Sequence, residues 1–256
     1  HNPVYLLKMN TVSFLPEKYG LYRMHVSTPF VSREKATGKV ETSIVNTSGK
    51  KQKLKGVFTL KGKDAGSTAY RSEREIVMEN GKSYDYLEQF EIKSPHLWNG
   101  LEDPYLYDAH ISILDTKGKT MDEAETKVGF RFYQTTASEG FFLNGRSYPL
   151  RGVSEHQDWD GEASAVSKQH TYADYEIIKE LGASFVRLAH YPHNDYEFRL
   201  CDSLGIVVQT EIPWVNVCGV KATPGYFENI NQQMKEMIVN LYNHPSIIFC
   251  APRSFR

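Results

Sequence analysis

The chain has 256 residues, and its 30 basic and 31 acidic side chains leave a formal net charge of -1, which gives no reason to expect nucleic acid or an anionic membrane as partner and permits a neutral ligand. Its three cysteines, Cys201, Cys218 and Cys250, are odd in number and far apart, so neither a disulfide framework nor a zinc cluster is expected. No apolar run reaches the length of a membrane span, and the first residues have neither the basic start nor the apolar run of a signal peptide. Because the chain opens at His1 instead of Met, its beginning is expected upstream, and the compartment stays open between cytoplasm and periplasm. Sixteen tyrosines and thirteen phenylalanines suit β-structure and also suit sugar stacking.

Residues 1–20 read as an incoming strand or linker from a preceding domain, with short apolar runs broken by Pro16 and Gly20. From Lys39 the alternation becomes regular: Val40, Thr42 and Ile44 share one face, and Asn46-Thr47-Ser48-Gly49 turns the chain. Leu54, Phe58 and Leu60 mark a second strand, followed by a polar lysine-rich loop and a short strand at Ile76-Val77-Met78. Tyr84, Tyr86, Phe90 and Ile92 keep one parity, as do Tyr105, Tyr107, Ala109, Ile111 and Ile113, and Val128, Phe130 and Phe132 close the set. Short strands with one alternating face and regular turn signals describe an immunoglobulin-like β-sandwich over 21–134. The run Lys50-Lys51-Gln52-Lys53 reads as a solvated turn that discourages edge pairing. Asn46-Thr47-Ser48 fits a glycosylation acceptor, a tripeptide too common to carry weight.

At Glu139 the period changes. Asn144-Gly145 between Phe141-Phe142-Leu143 and Arg146–Val153 predicts a two-residue hairpin. A strand ending at Val153 then opens into Ser154-Glu155-His156-Gln157-Asp158-Trp159-Asp160-Gly161. Tyr172, Tyr175, Ile178 and Leu181 recur at helical spacing before Gly182. The next strand, Phe185–Ala189, carries Arg187 and is followed by His190-Tyr191-Pro192. Asn194 and Glu197 cap a helix that buries Leu200, Cys201 and Leu204 and stops at Gly205. Ile206–Pro213 is a third strand ending in Glu211; Phe227, Ile230, Met234, Ile238 and Leu241 line a long helix; Ile247–Ala251 is a fourth strand. Strands separated by helices require a parallel sheet, either open and doubly wound or a barrel. No glycine-rich phosphate turn follows the first strand, which removes the main support for an oxidoreductase on an open sheet. His156 and Asp158, then Arg187 and His190, then Glu211 and Trp214 instead follow successive strands, as on the catalytic rim of a TIM barrel. The fold class is thus multi-domain β plus α/β: an immunoglobulin-like β-sandwich followed by the first four β/α units of a TIM barrel over 135–256.

These motifs, in this order, resemble glycoside hydrolase family 2, the β-galactosidase family. Leu97-Trp98, Pro104 and Leu106-Tyr107 are similar to the family's run in the sandwich, and Gly129-Phe130-Arg131 to its exit strand. Phe142-Leu143-Asn144-Gly145 with Arg151-Gly152-Val153 resembles the barrel entry, and the likeness continues through Val186-Arg187, His190-Tyr191-Pro192, Leu200-Cys201-Asp202, Gly205 and Asn243–Ile247. The resemblance implies hydrolysis of a terminal β-linked sugar, a β-galactoside first, with retention, using one carboxyl as nucleophile and one as acid and base. In the family the acid/base is the Glu of an Asn-Glu pair just after the fourth strand and the nucleophile ends the seventh strand. Neither is matched here, and Cys250-Ala251-Pro252-Arg253-Ser254-Phe255-Arg256 departs from the family pattern. The expectation is a truncated or altered terminus, no catalytic residue among these 256, and a chain inactive alone.

By the same resemblance, His156 contacts the sugar, and Arg187 with His190 positions the nucleophile and the glycone hydroxyls. Ser154, Glu155 and Gln157 stand where many members have Asn, Arg and Glu, which puts the substrate's identity in question. Asp158, Glu211 and Trp214 are rim candidates; Trp214 suits sugar stacking and core packing equally. Glu211 lies one strand too early for the acid/base, so a role orienting a pocket donor is expected. His156 and Asp158 alone make a poor metal site, so no metal or cofactor is expected. A carbohydrate substrate is the expected partner, and a homo-oligomer is compatible. The alternative is a non-catalytic carbohydrate-binding or adhesion module on a degenerate barrel.

Overall fold

The computed structural model describes residues 3–6, 24–63, 67–214 and 223–251, so Cys218 and most of the segment 1–20 lie outside the described residues. The chain divides into two compact units, His1–His96 with Leu106–Phe130, and Leu97–Tyr105 with Arg131–Arg256.

The first unit is all β: β1 (Val4–Leu6), β2 (His25–Val31), β3 (Lys35–Asn46), β4 (Gln52–Lys61), β5 (Thr68–Met78), β6 (Ser83–Lys93), β7 (Tyr107–Asp115) and β8 (Thr120–Val128). In one sheet β3 pairs with β1 and β2 along one edge and with β6 along the other; the second sheet runs β5-β4-β7-β8, and every pairing is antiparallel. Along β3 every second residue is buried, as the period-2 pattern requires, with Val40, Thr42 and Ile44 inside. Pro29 sits where the β2–β3 register breaks between Ser27 and Phe30, the place on an edge strand where a missing N–H is tolerated. The sheets meet through aromatic rings, Phe58 at 5.6 Å and Tyr70 at 5.3 Å from Phe90. Gly38 lies beneath the Phe90 ring, where a Cβ would come within 2.0 Å of it. The strand expected only at Ile76–Met78 begins at Thr68, because its polar residues pair with β4 while exposing their side chains. Asn46 is buried and its amide is shared among the carbonyls of Lys50, Met78 and Glu79, which commits it to the turn and leaves it unsuited to glycosylation.

The second unit opens with the hairpin strands β9 (Tyr133–Thr136), β10 (Gly140–Leu143) and β11 (Arg146–Ser147). Asn144 and Gly145 hold positive φ of 51° and 76°, the two-residue turn expected from their dipeptide. There follow β12 (Gly152–Glu155), α1 (Lys168–Glu180), β13 (Phe185–Leu188), α2 (Asp195–Leu204), β14 (Val207–Glu211), α3 (Pro224–Asn240) and β15 (Ile247–Ala251). The strands pair parallel in the order β12-β13-β14-β15. The first strand thus reaches Glu155, beyond the expected end at Val153. Ser167, Asn194 and Thr223 cap the three helices by accepting N–H groups of the first turn. Gly205 ends α2 at φ 79°, and a Cβ there would lie 2.1 Å from the Gly100 carbonyl oxygen, so conformation and close approach both require glycine.

Helix faces are rotated from the periodic reading. α1 buries Thr171, Tyr175 and Ile178 while Tyr172 and Leu181 are exposed, and on α3 Ile230 and Met237 are buried while Phe227 and Ile238 are exposed. The strand–helix core takes Val186 and Leu188 of β13, Val208 of β14 and the facing residues of the helices. Leu97–Tyr105, which in sequence lies between β6 and β7, packs in this unit: fully buried Trp98 donates from Nε1 to Asp202 O at 2.8 Å, and Asn144 Nδ2 donates to Trp98 O at 3.0 Å.

Asp202 is also the anchor of the turn into β15. Its Oδ2 lies 2.6 Å from His244 Nδ1, and its Oδ1 accepts from Ser246 N at 3.1 Å and Ser246 Oγ at 2.6 Å. Arg131 donates to the carbonyls of Pro245 and Ile247 in the same turn. Burial alone would lower the His244 pKa, but the Asp202 charge, joined by Asp195, outweighs it and lifts the imidazole to about 9. Asp202→Ala is expected to cost about 3–5 kcal/mol near neutral pH, because it removes the charge that pairs with His244 and leaves the buried Ser246 N–H and hydroxyl without their acceptor. Urea unfolding followed by tryptophan fluorescence checks this, since Trp98, Trp159 and Trp214 all lie in this unit. The pair's contribution is complete below the unfolded histidine's 6.5 and fades as the pH rises through about 9, so the gap between wild type and variant should narrow in alkali.

Candidate functional site

Register decides which side chains share a face of the parallel sheet. Val186 and Leu188 face the helices, so Arg187 faces the opposite side; Gln209 pairs with Arg187 in register, and Glu211 follows it two residues on. Phe185 and Phe249 share that inner face, 6.2 Å apart, and Phe141 of the hairpin lies 6.0 Å from Phe249. Aromatic rings therefore underlie a polar layer at the carboxyl ends of the strands, where barrels carry their chemistry.

Glu211 is the centre of that layer. Its side chain is 0% exposed, and Arg187 grips it with both ends of the fork: Nε donates to Oε1 at 2.7 Å and Nη2 to Oε2 at 3.1 Å. Gln209 Nε2 donates to Oε1 at 2.8 Å. His190 Nδ1 lies 3.3 Å from Oε2 and 3.2 Å from Arg187 Nη2. Burial by itself would raise the Glu211 carboxyl, but the bonds from Arg187 and Gln209 outweigh it and hold the group below the ordinary carboxylate range. At neutral pH Glu211 is an anion whose two oxygens are both engaged. His156, exposed just beyond β12, meets the His190 ring edge-on with centroids 4.9 Å apart.

The structure thus brings together four of the six residues singled out in the sequence: His156, Arg187, His190 and Glu211. Asp158 is exposed in the loop after β12, its N–H donating to His156 O at 2.8 Å. Trp214 is half-buried against the strand–helix core, with Tyr226 edge-on at 6.3 Å. Gln209 is a further member that the motifs do not mark, although its parity with Glu211 two residues on is a usable signal. Gln157 ties the loop to α2, accepting from Asn194 N at 2.6 Å and donating to Ser164 O at 2.7 Å. Among the described residues there is no group of three or more His, Cys, Asp or Glu placed to hold a metal ion.

A second carboxyl set lies on the helix side of the sheet. Glu155 pairs in register with Leu188 and so faces Tyr175 and Glu197. Burial, then the charge and hydrogen bond of Glu197, with a further push from Asp174, raise Glu155 to about 9, so it is protonated at neutral pH. One face of the sheet keeps its carboxyl ionised by pairing; the other keeps its carboxyl neutral.

Residues 21–131 match the family model described as glycosyl hydrolases family 2, and residues 135–251 match the TIM barrel domain of glycosyl hydrolases family 2. A β-glucuronidase of Bacteroides fragilis is 40% identical over 194 residues, covering 73% of this chain and 27% of that protein. A β-galactosidase of Bacteroides ovatus is 28% identical over 238 residues, 91% of this chain and 27% of that protein. Among solved structures, the β-glucuronidase of Bacteroides uniformis superposes with a TM-score of 0.86 at 31% identity, covering 97% of this chain and 28% of that one. The β-glucuronidase of Parabacteroides merdae gives 0.78 at 28% identity over 90% of this chain and 29% of that one. The chain spans about a quarter of the length of the curated relatives it matches, 27% for each of the two named here.

The two carboxyl sets give the unit opposite pH signatures. An unfolded Glu155 loses its proton near 4.5 and the folded one near 9, so the native state is favoured most below that lower value and its advantage falls as the pH rises through the interval. Glu155→Gln should flatten the decline in melting temperature, most diagnostically between about pH 5 and 6.5, before His244 contributes. A variant as pH-sensitive as wild type in that window would show that Glu155 is already ionised there.

Proposed function

This chain belongs to glycosyl hydrolase family 2, and on that premise we propose that the protein containing it is a retaining exo-β-glycosidase in which this segment forms one wall of the glycone pocket. The observation that carries the reading is the Arg187–Glu211–His190 cluster with Gln209 and His156, set at the ends of adjacent parallel strands above an aromatic layer. A buried ion pair adds little stability compared with apolar replacements, so its placement on a barrel's inner rim is better explained by a ligand than by folding. Arg187 is spent on Glu211, and Glu211 in turn aligns Gln209 and His190. With Nδ1 of His190 against that pair, Nε2 is the ring nitrogen that meets a sugar hydroxyl; His156 adds a second imidazole, and Asp158 an acceptor from the loop.

Glu211 acts in this reading as the group that orients its donors, not as the acid/base. A general acid must be protonated at the working pH, whereas Glu211 is held ionised with both oxygens engaged. Trp214, turned into the core, supports the fold more than it stacks on substrate. Two glycones are proposed: a β-galactoside, as the motifs imply, and a β-glucuronide, favoured by the 40% identity to a relative named β-glucuronidase.

The test is turnover of 4-nitrophenyl β-D-galactoside and β-D-glucuronide by the whole protein. Turnover of either with retained anomeric configuration is expected, and the larger kcat/KM assigns the glycone; tight sugar binding with no turnover would replace the proposal with the non-catalytic binding module. His156→Ala, at an exposed position, is expected to raise KM about 10-fold without loss of fold. Glu211→Gln should lower kcat/KM without rescue by azide; azide rescue would show that Glu211 is the acid/base after all.

A further inference from the structure

A buried polar cluster outside the pocket remains without a role in the reaction. It gathers Tyr175 of α1, His193 just before α2, and Glu197 and Cys201 of α2, beside Glu155 at the end of β12. The side chains of His193 and Glu197 are 0% and 2% exposed. His193 Nδ1 lies 2.9 Å from Glu197 Oε2, Tyr175 Oη donates to Glu197 Oε1 at 3.1 Å, and Cys201 Sγ donates to Tyr175 Oη at 3.1 Å. The other ring nitrogen, His193 Nε2, lies 3.1 Å from the Ala189 carbonyl oxygen.

Ala189 is the residue between the end of β13 and His190. Its N–H donates to Glu155 O at 2.8 Å, so both of its backbone polar groups are held, one by the neighbouring strand and one by His193. A carbonyl only accepts, so Nε2 of His193 carries a proton. Nδ1 and Glu197 Oε2 share a hydrogen bond at the other end of the ring. That bond satisfies two buried polar groups, and through it Glu197 keeps the ring turned toward Ala189. Apolar side chains would fill the same space without desolvating polar groups, so packing alone does not account for the chain from Glu197 to His193 to Ala189.

We propose that His193 and Glu197 are positioning residues: by holding the Ala189 carbonyl they fix the direction in which the chain leaves β13, and so place His190 against Arg187 and Glu211. The inference deepens the glycosidase reading and rests on it for its kinetic arm, though not for its spectroscopic one.

The test uses the whole protein with His193→Leu, Glu197→Leu and Glu197→Gln, and Tyr172→Ala on the exposed face of α1 as control. Long-range proton–nitrogen spectra of the histidine side chains report the His190 ring. KM and kcat are measured on the 4-nitrophenyl glycoside that wild type cleaves. Both leucine variants are expected to shift the His190 signal and to raise KM about 10-fold or more, as misplacement of a binding group does. Glu197→Gln should stay close to wild type, because the amide still accepts from Tyr175 and donates to Nδ1 of a neutral His193 that keeps its Nε2–H on Ala189. Should His193→Leu fail to fold, Glu197→Leu carries the test by itself, since His193 remains in place. A folded leucine variant with wild-type KM and an unmoved His190 signal overturns the proposal, as does a Glu197→Gln protein as impaired as Glu197→Leu. Wild-type protein that cleaves no glycoside overturns the glycosidase reading alone, and the His190 signal then decides the positioning role.

Discussion

A carboxylate with no exposure on the inner face of a parallel sheet can persist only if donors surround it, and Glu211 imposes that condition on everything near it. Arg187 lies on the neighbouring strand within reach of both oxygens, and Gln209 lies two residues back on the same face. His190, three residues after Arg187, closes the set. Neutralising Arg187 would leave a buried anion, and removing Glu211 would free a guanidinium on the inner face of the sheet. The polar layer thus stands or falls together, above aromatic rings that exclude water from below.

The opposite face of the same strands meets the same cost by another route. Burial and Glu197 push Glu155 toward its protonated form, and His193 and Glu197 hydrogen-bond to each other beneath α1 and α2. The pleat keeps the solutions apart: adjacent residues of β12 and β13 point to opposite faces, so Arg187 and Leu188, one peptide bond apart, belong to the polar layer and the core. Ala189 stands between the two faces, since its carbonyl oxygen meets His193 on the helix side while the next residue's ring lies in the polar layer.

Much of this was legible in the sequence wherever the signal was local. Alternation in Val40, Thr42 and Ile44, the Asn144-Gly145 hairpin, the Asn194 cap and the Gly205 stop are set by residues within a turn of one another, and each appears where expected. The strand that begins at Thr68 extends beyond its apolar signal because its residues are polar on the exposed side, and an edge strand needs only backbone pairing to form. Helical spacing does not predict the exposure of Tyr172, Leu181, Phe227 and Ile238: apolar residues at that spacing define a stripe, but the neighbour that covers it selects which part is buried. The motifs give no sign of Gln209 or His193 and offer Glu197 only as a helix cap, whereas its carboxylate bonds Tyr175 and His193; an amide, an imidazole and a carboxylate are ordinary surface residues until a partner is known.

By itself the sequence determined the order of elements, the parallel second half with polar residues after successive strands, and the family to which both halves belong, since all of these follow from periodicity and from motifs read along the chain. Tertiary structure alone decided the state of each carboxyl group: Glu211 ionised, Glu155 protonated, Asp202 locked to His244. The reason is physical. The free energy of a buried charge depends on partners brought from distant segments, Arg187 for Glu211, Glu197 for Glu155 and His244 for Asp202, and on the face of the sheet to which the pleat assigns it.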